Sequence, residues 1–261
     1  MWIVENSSFD RESTNALVFA LDKLKIPYHK FDYKFFMSWK DVEESIKEMG
    51  DIKEPIFCYG SLNFISRIQK INYKPGSYCN FRNLECRNYY PKLLPYLLNQ
   101  KYEIIQWKEL IHNSSYFLKT SMFIRPNSGK KVFTGRVIYE EDLHRQLDLE
   151  FNRVEDNTLI LISPVKEVIK EWRLFIIKNK VVTGCQFYEN SELSVVPSYP
   201  REVENLALKV SNIYNPDPVF VVDIGKINND EYKVIELNGM SCSGLYACDA
   251  VKIVEAVEDS L

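Results

Sequence analysis

The chain has little of what a metalloprotein or redox enzyme usually carries. It has only three histidines, and its six cysteines (Cys58, Cys79, Cys86, Cys185, Cys242, Cys248) contain no CxxC pair. Cys79 and Cys86 lie seven apart and Cys242 and Cys248 six apart, so reduced thiols are expected rather than a structural zinc site. No apolar run approaches the ~20 residues that span a bilayer. The start, MWIVENSSFDRESTNALVFAL, lacks the basic region and small-residue cleavage site of a signal peptide, so a cytoplasmic location is expected. Excess positive charge is also missing. With 33 basic and 36 acidic residues the net charge is -3, which argues against a chain dominated by nucleic-acid binding but leaves room for a local basic patch. The Walker lysine motif, GxGxxG, the nucleophile elbow and a Cys/His catalytic signature are all missing, which excludes a P-loop and a Rossmann fingerprint. No internal repeat or low-complexity tract occurs.

What is there is a folding chain rich in aromatics. Of its 261 residues 46% are hydrophobic and 13% aromatic, enough for one large domain or two to three small ones with a proper core. In residues 1 to about 75, apolar strands (MWIVEN, PYHKFDY, EPIFCYGS) alternate with helical patterns (SFDRESTNALVFALDKLKI, SWKDVEESIKEM, LNFISRIQK), which predicts a small α/β layer with parallel strands. A segment rich in Tyr, Asn and Pro, YKPGSYCNFRNLECRNYYPKLLPYLLNQ, reads as a bridge. Its Arg82, Arg87, Tyr89 and Tyr90 fit a domain seam better than a substrate site.

Beyond the bridge hairpins outnumber crossovers, which predicts antiparallel sheets. The expected elements are a helix WKELIHNS, strands SYFLKTSMFIRP and KKVFTGRVI, a helix EEDLHRQLDLEF and a strand NTLILISPV. These are followed by a hairpin in EWRLFIIKNKVVTGCQFY turning at KNK, a helix PREVENLALKVSNIY, two strands joined by NND, and a closing helix ACDAVKIVEAVEDSL.

Three constellations carry chemistry. Asp223 ends VFVVD, and Glu236 and Asn238 lie two apart in YKVIELN, so the latter two project from one strand face. A carboxylate in such apolar surroundings needs a positive partner. Two carboxylates and an amide oxygen form a hard ligand set suited to magnesium held with nucleotide phosphates. A solvated sheet edge would give the same residues, but the apolar flanks favour the metal. The second constellation is basic: Lys119 and Arg125 in apolar strands, a small loop of Asn127, Ser128 and Gly129, then Lys130 and Lys131 on the next strand. Such a loop can offer backbone amides to phosphate oxygens, although strand-edge cations often merely snorkel. In the third, KEWRLFII, Glu171 and Arg173 share a face. They form either a same-face ion pair or, through the planar fork of Arg173, a site for an acyl phosphate or carboxylate.

The order along the chain is strand cation, small loop, LILISP, EWR, then the Asp and Glu-x-Asn strands. This order resembles the ATP-grasp family, closely over residues of about 100 to 246 and in architecture only before them. The arginine in FIRP, together with K.FTG and EWR, resembles the arginine-bearing branch common in bacteria and their phages. The resemblance implies an α/β N-terminal domain (1–98) followed by an α+β ATP-grasp fold of two subdomains (99–165 and 166–261) that clamp ATP. It implies that Arg125 and Lys131, and less directly Lys119, contact phosphates. Leu161, Ile162, Ser163, Pro164 and Val165 would meet adenine, and Glu171 would join the ATP-binding set. Arg173 and Arg125 would be the catalytic cations, and Asp223, Glu236 and Asn238 the Mg2+ ligands. Where many members show an acidic pair this hinge has Ser163 and Pro164, so no residue is assigned to the ribose. The implied activity is ADP-forming ligation of a carboxylate to an amine or similar nucleophile through an acyl phosphate, with a small-molecule or peptide acceptor that SCSGLY would approach. Kinase-like phosphorylation and nucleotide binding without turnover are the alternatives. Acceptor identity and oligomeric state are not written in the sequence.

Overall fold

The computed structural model describes all residues except 7–9, 51, 118, 140–150, 152, 153 and 229. The helix expected from EEDLHRQLDLEF and the middle of the NND turn fall outside the described residues. Three sheets follow one another along the chain. The first, of order β2-β1-β3-β4, is parallel and uses β1 (Trp2–Glu5), β2 (Tyr28–Phe31), β3 (Ile56–Tyr59) and β4 (Pro75–Gly76). Its central strands WIVE and IFCY are buried throughout, as continuous apolar runs in a parallel sheet must be.

The crossovers are α1 (Arg11–Leu24), α2 (Trp39–Glu48) and α3 (Leu62–Ile68). Each begins at a side-chain cap: Asp10 accepts from Ser13 N–H, Ser38 and Asp41 form a reciprocal capping box, and Ser61 accepts from Phe64 N–H.

The bridge is more ordered than its composition suggests. A helix α4 (Cys86–Leu93) contains Pro91 and is continued by a 3-10 turn over Leu94–Tyr96. Its local start, Glu85, supplies no side-chain cap. The cap comes from far along the chain: Asn127 accepts from Cys86 N–H through its backbone oxygen and from Arg87 N–H through Oδ1, both at 2.9 Å. Tyr89 and Tyr90 are fully buried here, so this segment is a core seam.

The second sheet, of order β5-β8-β6-β7, is antiparallel and joins β5 (Glu103–Gln106), β6 (Met122–Pro126), β7 (Arg136–Ile138) and β8 (Leu159–Pro164). Two short helices, α5 (Trp107–His112) and α6 (Ser114–Phe117), connect β5 to β6. Trp107, Phe133 and Phe151 pack together beneath the sheet. Two expectations are corrected. Lys119 is not in a strand: it lies in an exposed bend after α6, and β6 starts only at Met122. Lys130 and Lys131 are also outside a strand, because KKVFTG is loop and β7 begins at Arg136. Lys131 has left-handed backbone (φ 50), which breaks the extended run there.

The third sheet, of order β11-β10-β9-β12-β13, is also antiparallel. It comprises β9 (Lys170–Ile177), β10 (Lys180–Glu189), β11 (Glu192–Val196), β12 (Val219–Lys226) and β13 (Tyr232–Gly239). The β9–β10 turn is Lys178-Asn179, both left-handed, as a two-residue hairpin requires. Strand β11 is an addition to the elements expected from the sequence. It folds back through a second left-handed pair, Asn190 and Ser191.

Both faces of this sheet are covered, which explains why antiparallel strands read as unbroken apolar runs. Trp172, Leu174, Phe220 and Val222 face α7 (Arg201–Ile213) and α4. Phe175, Val219 and Val221 face α1 and α8 (Ala250–Glu258). Alternation then places Arg173 and Asp223 on the α1/α8 side.

Gly239 ends β13 against the first unit. An added Cβ would lie 2.5–2.7 Å from Cys79 Sγ, Cα and Cβ. Gly239→Ala is therefore expected to destabilise the fold by about 1–3 kcal/mol, the usual scale of overpacking. Denaturant unfolding checks this, with an unchanged midpoint as the contrary result.

Candidate functional site

The third sheet's register assembles the site. Asp223 on β12 is paired with Arg173 on β9 and with Glu236 on β13, and the β12–β13 register shifts just after this position. Arg173 grips Asp223 with two hydrogen bonds, Nε to Oδ1 at 2.9 Å and Nη2 to Oδ2 at 2.7 Å, while its Nη1 donates to Gly244 O at 3.1 Å. The guanidinium also lies beside the stacked rings of Phe187 and Tyr246, 5.4 and 5.1 Å from their centres. Asn238 Nδ2 donates to Asp223 Oδ2 and to Glu236 Oε1, each at 2.9 Å.

The second sheet and the loop after its β6 supply the opposing cations. Arg125 Nη2 donates to Glu236 Oε2 at 2.9 Å, and Lys131 Nζ to Glu236 Oε1 at 3.0 Å. Arg125, Lys131, Arg173, Asp223, Glu236 and Asn238 thus form one connected network. Lys119 stands outside it: it is exposed, with Nζ 5.5 Å from the Tyr116 ring centre.

Burial would raise the Glu236 carboxyl, but Lys131, Arg125 and the Asn238 amide together hold it well below the usual carboxylate range. Burial holds the Asp223 carboxyl above its ordinary value, although the two-pronged bond from Arg173 works in the opposite direction. Glu171, on the same strand as Arg173, has no such partner among the described residues. Burial, with Asp223 and Glu236 nearby, pushes it up to about 7.

Two cavities flank the network. The larger, about 860 Å3, is lined by Ser13, Ser61, Lys131, Arg173, Asn238 and Tyr246 among others. The smaller, about 230 Å3, is lined by Phe123, Arg125, Val165, Lys166, Glu171 and Tyr188 among others. Of the five hinge residues expected at adenine, only Val165 lines this cavity. Leu161 points into the main core and Ile162 into the cluster under the second sheet, while Ser163 Oγ is buried without a hydrogen-bond partner among the described residues. Phe123, Lys166 and Tyr188 escape sequence reasoning because isolated apolar or basic residues at strand ends carry no motif.

Residues 105–256 match a family model described as an ATP-grasp domain, the second family of its clade. The chain belongs to the ATP-grasp superfamily. No curated protein matches its sequence. In fold it is similar along its whole length to the ATP-grasp ligase PsnB complexed with minimal precursor (12% identity, 100% of this chain and 98% of that chain, TM-score 0.58). It is similar also to D-alanine--D-alanine ligase from Bacillus anthracis complexed with ATP (13%, 99% and 97%, 0.62). A third similar structure is N5-carboxyaminoimidazole synthase from Aspergillus clavatus (11%, 99% and 76%, 0.64). The parallel α/β layer followed by two antiparallel sheets with helices is the ATP-grasp architecture of this chain. No described helix is long and apolar enough to cross a membrane.

A divalent ion fits the donor set on one specific ground. Asn238 touches both carboxylates at once, so two carboxylates and one amide converge on a single point. Among the described residues no three Asp, Glu, His or Cys converge in this way, so the amide is needed as the third donor. Turning the Asn238 amide would direct its oxygen at that point.

Glu171 gives this ATP-grasp chain a pH signature. Its folded value lies above its ordinary one, so the folded state binds more protons than the unfolded state between pH ~4.5 and ~7, and stability falls as pH rises through that window. Denaturant unfolding at pH 5 and 7.5 should show a loss about 1–3 kcal/mol larger in the wild type than in Glu171→Gln. Equal slopes in the two proteins would remove the assignment.

Proposed function

We propose that this ATP-grasp chain is an ADP-forming ligase that activates a carboxylate as an acyl phosphate and joins it to an amine or similar nucleophile. The observation that supports this most directly is Glu236 held jointly by Arg125 and Lys131. Cations suited to phosphate and oxygens suited to a divalent ion meet at one carboxylate. Three units would share the work: residues 1–98, 99–165 and 166–261, with the first shaping the acceptor side and the other two binding ATP.

Asp223, Glu236 and Asn238 would hold Mg2+, which would supply neutralisation of phosphate charge. Arg125 and Lys131 would release Glu236 and turn to phosphate oxygens, an exchange of one anion for another that leaves no charge unpaired. Val165, Glu171, Lys166 and Tyr188 line the cavity suited to the adenosine end, with Leu161–Pro164 forming the strand that leads to it. Lys119 would remain a peripheral cation. In the first step a substrate carboxylate oxygen attacks the γ-phosphorus, the bond to the β-bridging oxygen breaks, and ADP leaves. Arg173, fixed by Asp223 and Gly244 O at the wall of the larger cavity, would offset charge on the transferred group. In the second step the amine attacks the acyl carbon, inorganic phosphate departs and the amine loses a proton.

Kinase-like transfer would share the first step but leave a stable phosphorylated product. Hydroxylamine separates the two. With Mg-ATP and a carboxylate extract, the ligase gives hydroxamates and ADP, whereas stable phosphoproducts without hydroxamate would favour the kinase.

Two variants test the residue roles. Glu236→Ala should abolish Mg-dependent ADP formation while keeping the fold, and unchanged ADP release would remove the metal assignment. Arg125→Ala should weaken ATP binding about 10- to 150-fold, roughly 1.5–3 kcal/mol for a hydrogen bond to a charged group. Calorimetry with equal affinities would retire that role.

A further inference from the structure

Strand β11 ends the third sheet, and among the described residues no strand pairs with its outer edge. Its hairpin turns at Asn190 and Ser191 and closes on the Glu189–Glu192 pair. In a two-residue hairpin the closing pair exchanges both hydrogen bonds, so the next residue, Leu193, directs its N–H and C=O away from β10. Natural edge strands are usually blunted by charge, proline or a covering element. Here β11 is bounded by Glu192 and Pro197 and its register shifts beyond Leu193, yet Leu193-Ser194-Val195-Val196 carries no charge, and Leu193 and Val195 are 67% and 43% exposed.

These two side chains do not face open solvent alone. Both line the 860 Å3 cavity that also contains Arg173 and Lys131. Ser194, between them, is turned the other way and receives Gln186 Nε2 on its hydroxyl at 3.2 Å. Two acidic side chains also line this cavity: Asp10, which is engaged in capping α1, and Glu12 in the first turn of that helix. The cavity therefore joins three kinds of complementarity: the outward N–H and C=O of Leu193, the apolar side chains of Leu193 and Val195, and two cations, Arg173 paired with Asp223 and Lys131 paired with Glu236.

We propose that β11 is the docking strand for an extended polypeptide acceptor, which adds to the third sheet by strand pairing and presents a carboxylate to Arg173 and Lys131. The inference rests on the ligase reading and names its acceptor class. A small metabolite would use the cations but has no need of a sheet edge, whereas an extended backbone uses both.

The test uses the full chain, a randomised pool of synthetic octapeptides with free C-termini, and the same pool N-methylated at alternate residues. The expected result is at least tenfold greater retention of the unmethylated pool, with peptides bearing apolar residues at alternate positions enriched. Amide exchange over residues 192–196 should slow at least tenfold in its presence. Leu193→Pro, which removes the outward N–H, should lose both effects. Leu193→Ser, which keeps it, should retain the protection in part. Thermal unfolding checks that both variants fold, and the methylated-pool comparison on the wild type decides the matter if they do not.

Equal retention of the two pools, or unchanged exchange at 192–196, would overturn the proposal. So would a dimer seen by sedimentation that protects 192–196 without peptide, which would assign the edge to a second copy. If small free carboxylates drive ADP formation and peptides do not, the docking strand falls and the ligase reading stands. If ATP itself does not bind, the ligase reading falls and the acceptor assignment goes with it.

Discussion

Glu236 is the residue on which the arrangement depends. Its two oxygens accept from a guanidinium on the second sheet, an ammonium on the loop beyond it and an amide on its own strand. A carboxylate with only 17% of its side chain exposed would be costly if left alone. Its burial is tolerable only because the two sheets approach closely enough to share it. The same contact that joins the two sheets thus places a guanidinium and an ammonium beside carboxylate and amide oxygens at one side chain.

A second layer of constraint keeps the network in register. Arg173 commits three of its donors to Asp223 and Gly244 O, and two aromatic rings flank it. A guanidinium so confined has few rotamers left, which is the preorganisation that electrostatic stabilisation of a transferring group requires. The sheet beneath is buried on both faces, so shifting one strand by a residue would exchange apolar and charged side chains between faces.

The sequence shows much of this, and it is clear why it stops where it does. Asp223, Glu236, Asn238, Arg125 and Arg173 stand out because each is a polar residue interrupting an apolar run, and such an interruption needs a partner. The alternation of strands and helices in residues 1–75 shows itself through short apolar runs and helical spacing, and in the structure the helices start at caps local in sequence, at Ser38 and Ser61. Strand β11 is not legible, because its alternating apolar residues sit among turn formers and their neighbours across the sheet are not written nearby. Lys119 and Lys131 read as strand residues on the strength of their apolar neighbours, but one bend and one left-handed residue end those runs early. Of the expected hinge residues only Val165 lines a cavity, for a related reason. A strand with both faces covered has only its end free to line a cavity, here Val165.

The long-range cap on α4 carries a mechanical consequence. Asn127 lies two residues beyond Arg125, and its peptide oxygen and side chain both terminate a helix that begins some forty residues earlier. If β6 slid along its axis, it would strip two acceptors from the N–H groups of that helix at once, so strand and helix travel together. Any opening of the nucleotide cleft must then bend the chain elsewhere, carrying the guanidinium and the tyrosine-rich seam as a single rigid lever.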